Sequence, residues 1–337
     1  MSITIKDVAR IAGVSPSTVS KVINQNHTIS EPTIKKVESA IRNLNYTPNE
    51  RARNLARKST KIISFITLVK RDMAFVNPHL FEIMVGAQSA LAQKDYSMEF
   101  IGIKHKSLEL IQQLIESKHV DGLIVHASAL TQEIARYIVK SKIPHSVIGM
   151  PNFPNGVCWV DNNNNLSGQI AAKHILAIEK EQIAYIGGKT NDSISELRLE
   201  GIKEELSHHN LKIEANHIIK TNSSFEEGYN ATLKLLEQKP RPNAIICANN
   251  LLDLGCIKAL NDLGIKIPDE IAVITFDDYP YSIITNPPTT AINIDVYDLG
   301  QQAARLLMEK IRKPNYQFQT YMTVPLLVTR QSTRKQF

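Results

Sequence analysis

Apolar residues between Ile5 and Ile23 recur at helical spacing, break at Gly13-Val14, and resume. The pattern predicts two short helices around a Gly-Val turn. Thr4 and Asp7 read as a capping-box pair at the start of the first helix, and Ser15 caps the second with Pro16 at its first position. Along that second helix Val19, Val22 and Ile23 fall at core spacing, while Ser17, Ser20, Lys21 and Asn24 form a polar face at i, i+3, i+4 and i+7. A third helix, capped by Ser30, runs to about Asn45 and packs Val37, Ala40, Ile41 and Leu44 back on the first two.

The pattern weakens over 47–58. Thr47-Pro48 is a helix-start signal, yet only Ala52, Leu55 and Ala56 could be buried, and so short a helix is marginal alone in water. The segment reads as a linker that becomes helical on docking. From Ile62 the period changes: strand-like runs at 62–69, 98–103, 120–125 and 145–150 alternate with helical stretches around 79–95, 107–118 and 131–142. A second series follows, with strands at 183–188, 243–248 and 271–276. Apolar strands alternating with helices predict parallel sheets covered on both faces, here in two lobes of one design. Ligands in such folds sit beyond the carboxyl ends of the strands, which points to a cleft between the lobes.

Charge sharpens the division. Residues 1–61 carry eleven Lys or Arg against four Asp or Glu, a balance of +7, whereas the rest of the chain comes to −1. A basic head on a near-neutral body implies a polyanionic partner for the head alone. A helix with a short, polar and cationic face fits the major groove of duplex DNA and reaches base edges and phosphates.

Other chemistries find little support. Cys158, Cys247 and Cys256 lack CxxC spacing and read as buried thiols of a reducing, cytoplasmic setting. No leading apolar segment precedes the first helix, and no apolar run approaches the about 18 residues that span a bilayer. Gly188-Lys189-Thr190 resembles the end of a phosphate-binding loop, but that motif needs Gly where the chain has Ile183. His208-His209 has no partners at metal-ligand spacing, and no nucleophile elbow occurs. The expectation is a protein without catalytic residues, cofactor or metal.

TIKDVARIAGVSPSTVSKVIN and ISEPTIKKVESAIRNLNYTPNERARNLA resemble the DNA-binding head and hinge of the lactose-repressor (LacI/GalR) family of bacterial transcription regulators. The resemblance continues through VDGLIV, VDNNN, SELRLEG, PDEIAVITFDD and VTRQST, and so covers nearly the whole chain; the turn before VDNNN is similar to the maltose-regulator branch. It implies a small all-α helix-turn-helix head plus a two-lobed α/β body like the periplasmic binding proteins, built of two Rossmann-like parallel-sheet subdomains. The implied divisions are a head at 1–46, a hinge at 47–60, one subdomain at 61–160 and 292–322, and another at 161–291 and 323–333.

The family further implies a homodimer on a pseudo-palindromic operator, released by a sugar effector or, alternatively, governed by a purine or nucleoside corepressor. Stopping soon after Thr333, the chain is expected to form a dimer without a tetramerising heptad tail. By position, Pro16, Ser17 and Lys21 would read bases, with Ser15, Thr18, Ser20 and Asn24 mainly touching the backbone, and Thr4, Asn49 and Arg53 adding DNA contacts. Leu55 would wedge into the minor groove, as an apolar side chain in a basic helix can. Arg198, Asp277 and Asn249 would hold the effector, whose hydroxyls need such fixed donors and acceptors; Asp161 is expected to face the cleft beside Trp159. Arg198 could instead bridge the lobes and Asp277 cap a turn, and Phe75 and Phe81 could stack on a sugar ring or pack in the core. Two departures from the family pattern, Asn249-Asn250 and Gly149-Met150-Pro151, bear on which ligand fits. Leu55→Ala is expected to reduce operator bending in a gel-phasing assay while leaving the fold intact; undiminished bending would remove the wedge.

Overall fold

The computed structural model describes residues 3–23, 28–46, 59–69, 79–154, 156–189, 192–278, 280–315 and 319–334. Two compact units divide at Lys61 and Ile62. In the first, α1 (Ile5–Ala12), α2 (Pro16–Ile23) and α3 (Glu31–Leu44) surround a core of Val8, Ala9, Ala12, Val19, Val37 and Ala40. Gly13 turns the chain at φ 67°, in the left-handed region where a glycine costs least. The Thr4 backbone N–H and hydroxyl both donate to Asp7 Oδ2, at 3.0 and 2.8 Å, fixing the start of α1. The Thr18 backbone N–H donates to Ser15 Oγ at 3.2 Å, which caps α2. Ser30 holds the cap position of α3, but its hydroxyl meets that of Thr33 instead of a backbone N–H.

The second unit contains two six-stranded sheets. β1 (Ile62–Leu68), β2 (Ser97–Ile103), β3 (Gly122–His126), β4 (His145–Ile148), β5 (Trp159–Asn162) and β11 (Tyr321–Thr323) form the first, in the order β11-β5-β4-β3-β1-β2. β6 (Ile183–Gly187), β7 (Ile218–Lys220), β8 (Ala244–Cys247), β9 (Ala272–Phe276), β10 (Thr290–Asn293) and β12 (Leu326–Val328) form the second, in the order β12-β10-β9-β8-β6-β7. Neighbouring strands pair in parallel except β10 and β12, which are antiparallel. The chain therefore passes between lobes three times: after β5, after β10, and between β11 and β12.

The fold places α4 (His79–Ala92), α5 (Leu108–Glu116), α6 (Gln132–Ser141) and the late helix α12 (Val296–Arg312) in the first lobe. α7 (Asn164–Ala177), α8 (Ser193–His208), α9 (Phe225–Leu236), α10 (Asn250–Asp262) and the short α11 (Pro280–Ile284) belong to the second. The long strands and helices occur where the periodicity puts them. β5, β7, β10, β11 and β12 are not among the strands the pattern predicts; runs of three or four residues carry too few alternations to be told from a loop, and the equally short β4 and β8 stand out only through the longer stretches 145–150 and 243–248 that contain them.

Close packing aligns the second lobe's cavity-facing helix. A Cβ on Gly168 of α7 would lie 2.0 Å from the Arg198 carbonyl of α8, and one on Gly201 would lie 1.9 Å from that of Asn165. Only glycines permit this backbone approach, which holds Arg198 at a fixed height over the sheet. Cys158, Cys247 and Cys256 are buried free thiols. Among the described residues, no helix is long and apolar enough to cross a membrane.

One buried group works against stability. Asp253 of α10 is fully buried and neither carboxylate oxygen has a hydrogen-bond partner. Burial pushes its pKa from 3.8 up to about 7, opposed in part by the nearby Thr289 hydroxyl, whose better-formed bond is to Thr285 at 2.9 Å. The folded state thus holds a proton that the unfolded chain releases between those values, so stability falls as pH rises from about 4 to 7. Asp253→Asn is expected to raise thermal stability at pH 8 by roughly 2–4 kcal/mol, with the gain closing toward pH 4. A pH-independent difference between the two proteins in thermal melts would contradict a titrating Asp253.

Candidate DNA-binding surface and effector cavity

The head packs Val19 inward and turns the opposite side of α2 to solvent. Ser15, Pro16, Ser17 and Lys21 are exposed, with Thr18 and Ser20 half-buried at the edge of that face. The Ser15 hydroxyl lies 2.7 Å from that of Ser17 and 2.9 Å from that of Thr18, so the cap also orders the first turn's hydroxyls. Lys21, one helical turn beyond Ser17, completes a polar and cationic strip. Thr4 is also exposed, with its hydroxyl donating to Asp7. Asn24, Asn49, Arg53 and Leu55 lie outside the described residues, as does Phe75.

In the body, a cavity of about 340 Å³ opens between the lobes. On its second-lobe side, Arg198 is 3% exposed and makes three hydrogen bonds. Its Nε donates to Asn164 Oδ1 at 3.2 Å, Nη1 to the Ala248 carbonyl at 2.7 Å, and Nη2 to Asp277 Oδ1 at 3.1 Å. The guanidinium also lies 4.4 Å from the centre of the Phe276 ring, a cation–π contact. Of its five N–H groups, two remain for a ligand or water. The ion pair joins elements of the second lobe, so Arg198 does not bridge the lobes.

Asp277 follows β9 at φ 72°, a left-handed conformation that a short polar residue tolerates. Its N–H donates to the Ile292 carbonyl at 2.9 Å, and its own carbonyl accepts from Asn250 Nδ2 at 2.9 Å. Backbone and side chain are thus pinned, which presents the carboxylate to the cavity. Asn249 caps α10, its Oδ1 accepting from the Leu252 N–H at 3.1 Å. Asp192 caps α8 in the same manner, accepting from the Ser195 N–H at 3.2 Å. Two helix N-termini therefore face the cavity beyond the carboxyl ends of the strands, where oriented N–H dipoles favour polar ligand atoms.

Ser195 is fixed from beneath. The Tyr185 hydroxyl lies 2.9 Å from Ser195 Oγ, and burial pushes its pKa well above the usual phenol value, so it stays protonated. Gly188 donates its N–H to the same oxygen at 2.8 Å. Ile194, Ala248, Leu251, Ile294, Ser223 and Tyr281 also line the cavity.

Two expectations change. Asp161 does not line the cavity: it is buried, and its carboxylate accepts from the N–H groups of Met150 and Asn162, each at 2.8 Å. It braces the turn after β4 to β5, and its neighbour Asn162 reaches the cavity wall instead. Strand alternation explains the exchange, because adjacent residues point to opposite sides. Phe81 is 70% exposed and neither packs in a core nor lines the cavity. Sequence reading gave no sign of His79, Asp192 and Tyr281, which come from separate elements and share no local motif, whereas Asn162 lies within VDNNN and Asn250 within the Asn249-Asn250 departure without either being assigned to the site. Among the described residues, no group of three His, Cys, Asp or Glu side chains could hold a metal ion.

A basic three-helix head with an exposed second-helix face, followed by a two-lobed ligand-binding body, defines a DNA-binding regulator with a small-molecule site. The model described as "Bacterial regulatory proteins, lacI family" matches residues 4–49, and that described as "Periplasmic binding protein-like domain" matches 172–333. The HTH-type transcriptional repressor PurR of Histophilus somni (strain 129Pt) is 31% identical over 334 residues, covering 98% of this chain and 99% of its own. The protein of that name from Haemophilus influenzae (strain PittEE) is 32% identical over 339 residues, with 98% of each covered. The lac repressor dimer bound to operator and the anti-inducer ONPF superposes with a TM-score of 0.84 at 25% identity, covering 99% of both chains. A CelR–cellobiose complex, at 24% identity and a TM-score of 0.73, shares the fold over 98% of this chain and 99% of its own. The chain belongs to the lacI family of bacterial regulatory proteins and is a DNA-binding transcription regulator.

Arg198→Ala leaves the Asp277 carboxylate buried without its cation and is expected to cost about 3–5 kcal/mol in stability. Chemical denaturation checks this, and a loss below 1 kcal/mol would mean that Asp277 finds another partner.

Proposed function

We propose that this chain is a cytoplasmic, non-catalytic repressor acting as a homodimer on a pseudo-palindromic operator and released by a neutral sugar. Pro16, Ser17 and Lys21 read base edges, while Ser15, Thr18, Ser20 and Asn24 hold the phosphate backbone. Thr4, Asn49 and Arg53 add contacts, and Leu55 wedges into the minor groove at the centre. Arg198, Asp277 and Asn249 hold the effector. The observation that carries the effector reading is the Arg198–Asp277 pair at 3.1 Å on the wall of a 340 Å³ cavity. Fixed charge-assisted donors and acceptors beside one another match the neighbouring hydroxyls of a sugar.

In the proposed mechanism the lobes of each subunit have two arrangements. One brings the paired hinges together so that they fold in the minor groove. Effector binding favours the other and separates them, with a coupling typically about 1–3 kcal/mol. A purine or nucleoside corepressor is the second reading, favoured by full-length relatives that bear the name PurR. Against it, a purine calls for flat rings on both faces, and the described lining residues offer only Tyr281 and the His79 imidazole.

A binding-site selection tests the head. Wild type should enrich a pseudo-palindrome, and Lys21→Ala should relax base preference in each half-site; an identical consensus would exclude Lys21 as a base reader. Affinity should fall with salt, log K decreasing by about 0.9 per unit of log[salt] for each phosphate neutralised. A thermal-shift screen of sugars against nucleobases and nucleosides separates the two effector readings, since a ligand selective for the native state raises its stability.

A further inference from the structure

Gly188-Lys189-Thr190 lacks the upstream glycine of a phosphate-binding loop, yet its lysine does not stand alone. β6 and β7 run parallel with Gly187 opposite Lys220, so the residues that follow them leave the sheet side by side. Lys189 follows β6, Lys220 ends β7 and Asn222 comes after it. All three line a hollow of about 550 Å³ at the β7 edge of the second sheet, beyond the carboxyl ends of the strands. α9 closes the other side with Glu227, Asn230, Ala231 and Lys234, which spacing of i, i+3, i+4 and i+7 places on one helix face. The hollow shares no described lining residue with the effector cavity.

Three lysines against one glutamate leave this lining at +2, on a body whose own balance is −1. The glutamate is already engaged: Glu227 Oε2 accepts from the Asn222 backbone N–H and Oε1 from the Asn222 side-chain amide. Lys220 approaches Glu196 only to 3.8 Å, with the two side chains 44% and 48% exposed, a contact worth little in water. Among the described residues, Lys189 and Lys234 form no ion pair. Three like charges around one hollow repel one another, and a bound anion relieves that repulsion.

The lining also selects the kind of anion. A phosphate group carries about −1.5 to −2 at pH 7 on one compact centre, which matches the +2 of the hollow. Lysine binds phosphate as a point charge, without the fixed fork that arginine brings to a carboxylate. Ile219 and Ala231 are the only apolar residues of the described lining, so it offers no flat face to a nucleobase and no apolar wall to an acyl chain. The Asn230 amide can instead meet hydroxyls.

We propose that Lys189, Lys220 and Lys234 form a second ligand site on this protein, which takes a phosphate dianion, either free or carried by a compact polyol ester. The site stands independently of the effector reading above.

The test uses the full chain at fixed ionic strength, with inorganic phosphate, D-ribose 5-phosphate, succinate and D-ribose as probes. Calorimetry gives affinity, and hydrogen exchange locates the ligand, because the basic head also attracts anions. Phosphate binding should slow exchange in peptides spanning 218–236. Lys189→Ala and Lys234→Ala should each weaken that binding about fivefold or more, and Lys234→Glu should abolish it. Lys212→Ala removes an exposed lysine of the same lobe, 3.6 Å from Glu214 and outside the hollow, and should leave affinity unchanged. Tighter binding of ribose 5-phosphate than of inorganic phosphate identifies the ester as the occupant; equal or weaker binding identifies the free ion. Protection confined to residues 1–61, equal affinity in wild type and both alanine variants of the hollow, or no binding of either phosphate would overturn the site. Tighter binding of succinate, or protection of the same peptides by D-ribose, would overturn the phosphate assignment.

Discussion

A buried guanidinium is tolerated only where its charge is neutralised and its N–H groups are engaged. Arg198 meets that condition with the Asp277 carboxylate, the Asn164 side chain, the Ala248 carbonyl and the Phe276 ring. Those partners come from the start of α7, the end of β8 and the end of β9, so satisfying one cation ties three segments of the second lobe together. The strained backbone of Asp277 is held by the same network, and the cavity wall is a by-product of its geometry. Recognition chemistry and local rigidity are here a single structure, and a ligand that engages Arg198 or Asp277 acts on elements already joined.

The first lobe differs in how it meets the cavity. Its contributions, His79 and Asn162, come from a helix start and a strand end, and the approach of His79 to Asp277 of the second lobe spans 3.8 Å. Strong bonding inside one lobe and weaker contact across the gap is what a relative motion of the lobes requires. The chain crosses between lobes three times, which confines such motion to rotation about the crossings and excludes their separation.

The head was legible because its determinants are local. Caps, a glycine turn, a proline at the first helical position and helical apolar spacing all act within a few residues, and each of Thr4, Ser15 and Gly13 occupies the position its type implies. The exposed strip of Ser17 and Lys21 follows directly, because burial of Val19 on the same helix fixes the opposite side. In the body, the long strands of both sheets were equally plain. The short connecting strands were not, since their pairing is decided by neighbours distant along the chain.

The sequence by itself determined a basic helical head and an alternating α/β body in two lobes, and its family resemblance pointed to Arg198, Asn249 and Asp277 as the effector residues. Only the tertiary structure decided that Arg198 pairs within its own lobe, that Asp161 braces a turn while Asn162 reaches the cavity, and that His79 stands opposite Asp277. The physical reason is one of range. Capping and periodicity are settled by neighbours three or four residues away, whereas these contacts join residues between 11 and nearly 200 positions apart, brought together only when strands pair into sheets and the lobes meet.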